Sequence, residues 1–345
     1  SAFAREVVLR VVNLLLLGLV CINIIGFHQY ILGNVLMYCL PLLMLVIISS
    51  KTRGFGLTSR LKVFSKSEYK DMLHFSWYHL LVGSTLTILN FIDTLMLAPL
   101  DANGMKTTAI YAVAVIISSF MFMPYRAMAT ASLPILNHAY IEGNMEKVRD
   151  LFPRAGINIL IAGMGMFVII GVNLDNAVAI LGDGYEQVKY LVLILMLGKL
   201  ADMATGLNNE LISISKYYKF NFRISIVLLV MVIALDRIFI PEYGMYGAAI
   251  VATGTLTIFN IAKMIFLYRR LGLKPFTNRT WLIPVAGAVA GLAGYFWPYI
   301  LNPVVDSLIR CAIAIMVYSL MLVWLKPSAD LVAYIGHIKE SKRLF

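Results

Sequence analysis

The stretch VLILMLGKLADMATGLNNEL, residues 192–211, is apolar enough to cross a lipid bilayer, yet it carries Lys199 and Asp202 near its middle. An ionisable side chain at the bilayer centre costs on the order of 2.5–3.5 kcal/mol on insertion scales, so it must find a partner or face a polar cavity. Residues three apart share one helix face, so Lys199 and Asp202 could neutralise each other as a structural pair. Against that reading, Thr205, Asn208, Asn209 and Glu210 carry the polar character onward, as in a helix that lines a wet cavity. Two more charges lie well inside apolar stretches: Asp93 in NFIDTLMLAPL, and Arg126, two residues after Pro124. Arg10 and Lys263 fall near the expected cytoplasmic ends of their segments, where long stems can carry the charge to water. Arg310 sits near an outer end and fits either reading.

Other chemistry is poorly represented. His74 and His79 are five apart and the remaining histidines are isolated, so no metal-ligand spacing is present and no metal is expected. Cys21, Cys39 and Cys311 all fall inside apolar windows, which implies no disulfide framework.

The elements that position these charges are long and apolar. The 345 residues are 60% hydrophobic and 14% charged, with a mean hydropathy of +0.83, well outside the range of soluble domains. Windows of about 20 apolar residues, enough to span the hydrocarbon core, recur ten times, at about 7–27, 30–49, 73–98, 109–133, 155–175, 187–207, 221–240, 244–268, 281–301 and 304–325. The expected fold is therefore all-α, a polytopic bundle of about ten transmembrane helices. Pro41 and Pro124 lie within spans and should bend them. Gly287, Gly291 and Gly294 give the ninth span a small-residue face for close packing.

Cations mark the cytoplasmic side of a membrane protein. Lys62, Lys70, Lys147, Lys216, Lys219, Arg269, Arg270, Lys274, Lys326 and Lys342 fall on one side of this alternation, and Asp101, Asp175, Asp183, Glu186 and Glu242 on the other. Both termini are then expected in the cytoplasm. The net charge of +11 needs no nucleic-acid partner, because the same bias accounts for it, together with attraction of the basic loops to anionic lipid.

The longest polar connection, SKTRGFGLTSRLKVFSKSEYKDML, contains Ser65 and Glu68 at the spacing of a capping box, which predicts a short helix from about Lys66 leading into the third span. Asn144 is a plausible N-cap for a second interfacial helix ending before Pro153. After Pro327 the tail alternates apolar and basic residues and can lie on the membrane surface. The outer connections are near ten residues or fewer, which leaves no room for a catalytic domain there.

From Ser67 to Pro275 the succession KSEYKDMLHFSWYHLLVG, NFIDTLMLAPL, YAVAVIISSFMFMPYRAMATASLPIL, ILGDGYEQVKYLVLILMLGKLADMATGLNNELISISKYYKF and IFIPEYGMYGAAIVAT resembles the C-terminal lobe of polysaccharide exporters and lipid-linked oligosaccharide (O-antigen) flippases, in the multidrug/oligosaccharidyl-lipid/polysaccharide superfamily. The resemblance implies the last two helices of an N-terminal lobe at 1–50, a basic inter-lobe linker at 51–72, a six-helix C-terminal lobe at 73–270, two additional helices at 271–326 and an amphipathic tail at 327–345. About four N-terminal helices of the family pattern have no counterpart, so the chain is expected to be a fragment. The implied function is alternating-access flipping of a polyprenyl-pyrophosphate-linked oligosaccharide across a bacterial inner membrane, for lipopolysaccharide or other surface polysaccharide. On that reading Arg126, Lys199, Asn208 and Asn209 would contact the substrate, and Asp93 or Asp202 would serve a coupling cation, Na+ or H+. Lys199 and Asp202 would be partly paired while the cavity is empty. Besides glycan and membrane lipid no partner or cofactor is implied. The alternatives are a multidrug or cation antiporter of the same fold, and a membrane enzyme of polysaccharide assembly, which would need clustered catalytic residues.

Overall fold

A computed structural model of the chain describes residues 8–22, 24–50, 65–299 and 302–333. Among them the secondary structure is helical throughout, with no strand. The chain divides into two compact units, Ser1–Met72 and Leu73–Phe345. Among the described residues, three helices are long and apolar enough to cross a membrane, or up to six if each bent pair forms one span. The basic segment 51–64 and the tail from 334 onward lie outside the described residues.

In the first unit, α1 (Leu9–Cys21) and α2 (Phe27–Met37) pack as a hairpin. The Tyr30 hydroxyl donates to Asn13 Oδ1 at 3.0 Å, and Gly33 lies so close to Leu16 that an added Cβ would come within 3.1 Å of it. The second apolar window is split at Tyr38, before α3 (Cys39–Ser50). Pro41 has no N–H to offer the carbonyl of Met37, four residues back, so the bond that would carry α2 across this point is missing.

The segment α4 (Lys66–Leu100) begins at the expected capping box. Ser65 N–H donates to Glu68 Oε2 at 2.8 Å and Glu68 N–H to Ser65 Oγ at 3.2 Å. No separate short helix follows; the helix runs on and bends by 45° near Asn90.

Within the second unit, α5 (Gly104–Ser119) and α6 (Phe122–Ile141) meet at a 42° bend. Pro124 is its cause, because it leaves the carbonyl of Phe120 without the i+4 donor of a continuous helix. Asn144 caps α7 (Met145–Gly171) by accepting from Lys147 N–H at 3.0 Å. Contrary to expectation, α7 runs through Pro153 without a break.

After the short α8 (Leu174–Leu181), α9 (Val188–Ala204) and α10 (Asn208–Ile214) are separated by a 49° break. Gly206 makes the break with a φ of +66°, and a Cβ there would lie 2.8 Å from the Cα of Gly156 on α7. Only glycine satisfies both the left-handed backbone and the close approach.

The 54-residue α11 (Tyr218–Leu271) is folded back on itself at Gly244, which has a φ of +57°. Its limbs pack through Leu228, Val232, Val251 and Phe259. At the corner a Cβ on Gly247 would lie 2.4 Å from the Phe239 carbonyl oxygen.

The last two helices, α12 (Leu282–Tyr295) and α13 (Pro303–Leu325), pack against each other and against α7. The close seam on α12 runs through Gly287, which faces Met164, and Gly294, which faces Val172, while Gly291 looks into open space. The seam thus follows a seven-residue period and excludes Gly291 from the expected face. Arg310 is structural. It pairs with Asp306 one turn away and donates at 2.9 Å to the carbonyls of Gly294, Tyr295 and Trp297, closing the end of α12.

Candidate functional site

Two breaks in helices face each other chemically in the second unit. Lys199, on α9, reaches the bend between α5 and α6, where its ammonium donates to Ser118 Oγ at 2.8 Å and Ser119 Oγ at 3.1 Å. It also lies 5.6 Å from the centre of the Phe122 ring. Arg126, on the exposed side of α6, is within its electrostatic reach.

The expected contact between Lys199 and Asp202 is not formed. Both sit on α9, but Lys199 is held by hydroxyls on one side while Asp202 turns toward Lys263, Glu210 and Asn260. Serine oxygens hold an ammonium in place without cancelling its charge. Lys199 and Arg126 are thus two cations within electrostatic reach of each other, and neither forms an ion pair with a carboxylate among the described residues.

Around the α9–α10 break lies a second, buried network. Lys263 is only 1% exposed. It donates to Asn209 Oδ1 at 2.6 Å and its ammonium sits 3.9 Å from the centre of the Phe259 ring. The expectation that its stem would carry the charge to water is thus overturned. The α11 helix that bears it packs against α9 and α10, so the ammonium lies within the electrostatic reach of Asp202 and Glu210 without a direct ion pair to either among the described residues. Tyr125, the neighbour of Arg126, donates to Glu210 Oε1 at 2.7 Å, and Glu210 Oε2 is buried with no hydrogen-bond partner.

Asn208 and Asn209 serve this network rather than an open surface. Asn208 is 1% exposed, and both hydrogens of its amide are committed, to Thr205 Oγ1 at 2.8 Å and Asn260 Oδ1 at 3.1 Å. Asn209 Oδ1 accepts from Lys263 and from Asn221, the latter at 3.1 Å. For Asn208 to contact a substrate directly, both of these donors would have to be surrendered first.

The third polar station is acidic. Asp93 on α4 faces Asp236 on the first limb of α11, and Tyr111 on α5 donates to Asp93 Oδ2 at 3.3 Å. Asp236 is fully buried, and both of its carboxyl oxygens lack a hydrogen-bond partner, as does Asp93 Oδ1. Two carboxyls so placed repel unless a proton or a small cation lies between them. Asp93 and Asp202, candidates for the same role by sequence, thus occupy separate stations, one beside an acid and one beside a lysine.

Several members of these stations escaped the sequence reading or were read otherwise, Asp236, Lys263, Tyr111 and Tyr125 among them. Asp236 abuts Arg237 near the outer end of its window and resembles an ordinary end charge. Lys263 has Asn260 three residues before it on the same helix face, a polar pair that signals a buried contact. Tyr111 and Tyr125 carry no signal that separates them from interfacial tyrosines. No group of three or more His, Cys, Asp or Glu side chains is arranged to hold a metal ion among the described residues.

No family model matches the chain, and no curated protein sequence matches it.

Proposed function

We propose that this chain is part of an alternating-access transporter that moves an anionic, lipid-linked glycan across a membrane. The observation that carries the reading is the Lys199–Arg126 pair at the α5–α6 bend. On this reading both cations lie at membrane depth, where an ionisable side chain costs on the order of 2.5–3.5 kcal/mol, and the two serine hydroxyls recover part of that for Lys199 alone. An anionic headgroup entering the site would supply the missing countercharge, and a pyrophosphate would offer the guanidinium two oxygens at once.

On this proposal the substrate contacts are Arg126 and Lys199, while Asn208 and Asn209 position the α9–α10 break beside them. The apolar windows call for about ten passes; among the described residues three helices, or up to six with the bent pairs, are long and apolar enough to cross a membrane. The ten-pass arrangement of a C-terminal lobe with flanking helices belongs to the proposal and rests on the apolar windows and on the resemblance to the flippases. The bacterial inner membrane and cytoplasmic termini belong to the same proposal and rest on that resemblance and on the cation bias of the loops.

Coupling to a cation is assigned to Asp93 and Asp236, with Tyr111 as a hydroxyl partner. Asp202 is less suited, since Lys263 already supplies positive charge to it. The acid pair also favours a second reading, a cation-coupled exporter of the same architecture whose cargo need not be a glycan. The discriminating experiment is translocation of a fluorescent polyprenyl-pyrophosphate sugar in proteoliposomes. Glycan flipping requires that Arg126→Gln abolish translocation and that Arg126→Lys retain part of it, since a lysine still attracts phosphate without the bidentate fork. Normal translocation by Arg126→Gln would remove the headgroup role.

A further inference from the structure

Away from the three stations, four chain segments converge on a cavity of about 520 Å³. Arg149 comes from the first turns of α7, Lys216 from the turn between α10 and α11, and Arg270 from the last turn of α11, while Tyr140 comes from the end of α6. Gly272 ends α11 with a φ of +67°, and the Arg149 guanidinium lies against it, 3.6 Å from where a Cβ would stand.

Three cations brought together by chain folding would ordinarily be interleaved with carboxylates. Here they are not. Of the nearby acids in sequence, Asp150 is committed to Arg154 at 3.0 Å and Glu142 to His138 at 3.2 Å, and Glu146, exposed in the first turn of α7, forms no ion pair with any of the three cations among the described residues. Among the described residues Arg149, Lys216 and Arg270 form no ion pair, and neither guanidinium donates to a carbonyl at the end of α11, as a simple helix-capping role would require. The Lys216 ammonium lies 5.3 Å from the centre of the Tyr217 ring. Two forked guanidiniums, an ammonium and a phenol around one cavity match the tetrahedral oxygens of phosphate, which accepts several charge-assisted hydrogen bonds at once.

We propose that this cavity binds a phosphoryl group, carried either by an anionic phospholipid headgroup or by a soluble phosphate. The site is independent of the transport reading, since it shares no residue with the stations on α5, α6 and α9. Met145 and Leu271 give its rim an apolar component, which suits an ester better than a free ion.

The test uses the purified full chain in detergent, titrated with dioctanoyl phosphatidylglycerol, with dioctanoylglycerol lacking the phosphate, and with inorganic phosphate, followed by native mass spectrometry and thermal shift. The expected result is saturable binding of phosphatidylglycerol, at least about tenfold weaker without the phosphate or in the triple variant Arg149→Gln/Lys216→Gln/Arg270→Gln. A control triple variant with the same loss of charge, Lys147→Gln/Lys219→Gln/Arg269→Gln, should bind within about twofold of the parent. If inorganic phosphate competes at comparable concentration, the natural ligand is a soluble phosphate; if it does not, the headgroup is the ligand. Equal loss in the control variant would reduce the effect to bulk charge and overturn the site, as would absence of saturable binding by either phosphorylated probe. Should the triple variant fail to fold, Arg270→Gln alone must weaken binding by about threefold or more, and unchanged affinity in that variant would also overturn the proposal.

Discussion

Replacing Lys263 by methionine keeps the length and apolar stem of the side chain but removes a cation that faces both Asp202 and Glu210. The parent ammonium is 1% exposed, bonded to Asn209 at 2.6 Å and stacked over Phe259 at 3.9 Å, so water cannot replace it in the variant. Stranding the carboxylates of a buried charge cluster costs about 3–5 kcal/mol. For a unit of this size, at roughly 2 °C per kcal/mol, the unfolding midpoint should fall by about 6–10 °C. Thermal unfolding in detergent, followed by tryptophan fluorescence, measures the shift, and far-UV circular dichroism checks that helix content is kept. The same substitution combined with Asp202→Asn should recover most of the loss, because the two residues share one electrostatic neighbourhood and their effects cannot add. A midpoint within about 1 °C of the parent for Lys263→Met, or strictly additive losses in the double variant, would refute the network.

Four further outcomes follow from particular contacts. Gly206→Ala forces a left-handed backbone on alanine and drives its Cβ to 2.8 Å from Gly156, so it should destabilise the second unit by at least about 1–3 kcal/mol, read as a lower unfolding midpoint. Gly247→Ala meets the Phe239 carbonyl at 2.4 Å whereas Gly287→Ala meets the flexible end of Met164, so the first should be the more damaging in the same assay, and the reverse order would contradict the tight α11 corner. Because Lys199 and Asp202 do not touch, Lys199→Met and Asp202→Asn should show a coupling energy below about 0.5 kcal/mol in a double-mutant cycle of thermal stability. Single cysteines at Asp183 and Lys70, after replacement of the native three, should label from opposite sides in intact cells with an impermeant thiol reagent, as the cation bias requires; labelling of both from outside would break the orientation.

Legibility in the sequence tracked how local the cause was. The capping box at Ser65 and Glu68, the Asn144 cap and the reversal between 240 and 244 depend on residues a few positions apart, and all were visible. Pro124 announced the α5–α6 bend for the same reason. The break at Gly206 could also have been found, since glycine followed by paired asparagines combines a helix stop with a helix start; uniform hydropathy across residues 187–207 masked it. What periodicity could not supply was partnership. The helix face shared by Lys199 and Asp202 suggested a pair, but each side chain answers to a different neighbour, Ser118 on α5 or Lys263 on α11, and those meet only through tertiary packing. Asp236 was obscured likewise, because its significance depends on Asp93, 143 positions earlier in the chain.

The central claim is that Lys199 and Arg126 form an uncompensated cationic site for an anionic headgroup. Its most direct test is equilibrium binding of a short-chain polyprenyl pyrophosphate to the purified chain, compared with the uncharged polyprenol of the same length and with the double variant Lys199→Met/Arg126→Gln. Two charge-assisted contacts at about 1.5–3 kcal/mol each predict that the pyrophosphate binds the parent at least about a hundredfold more tightly than the alcohol does, and that the double variant loses this preference while its unfolding midpoint stays near that of the parent. Equal affinity of parent and double variant for the pyrophosphate would contradict the account.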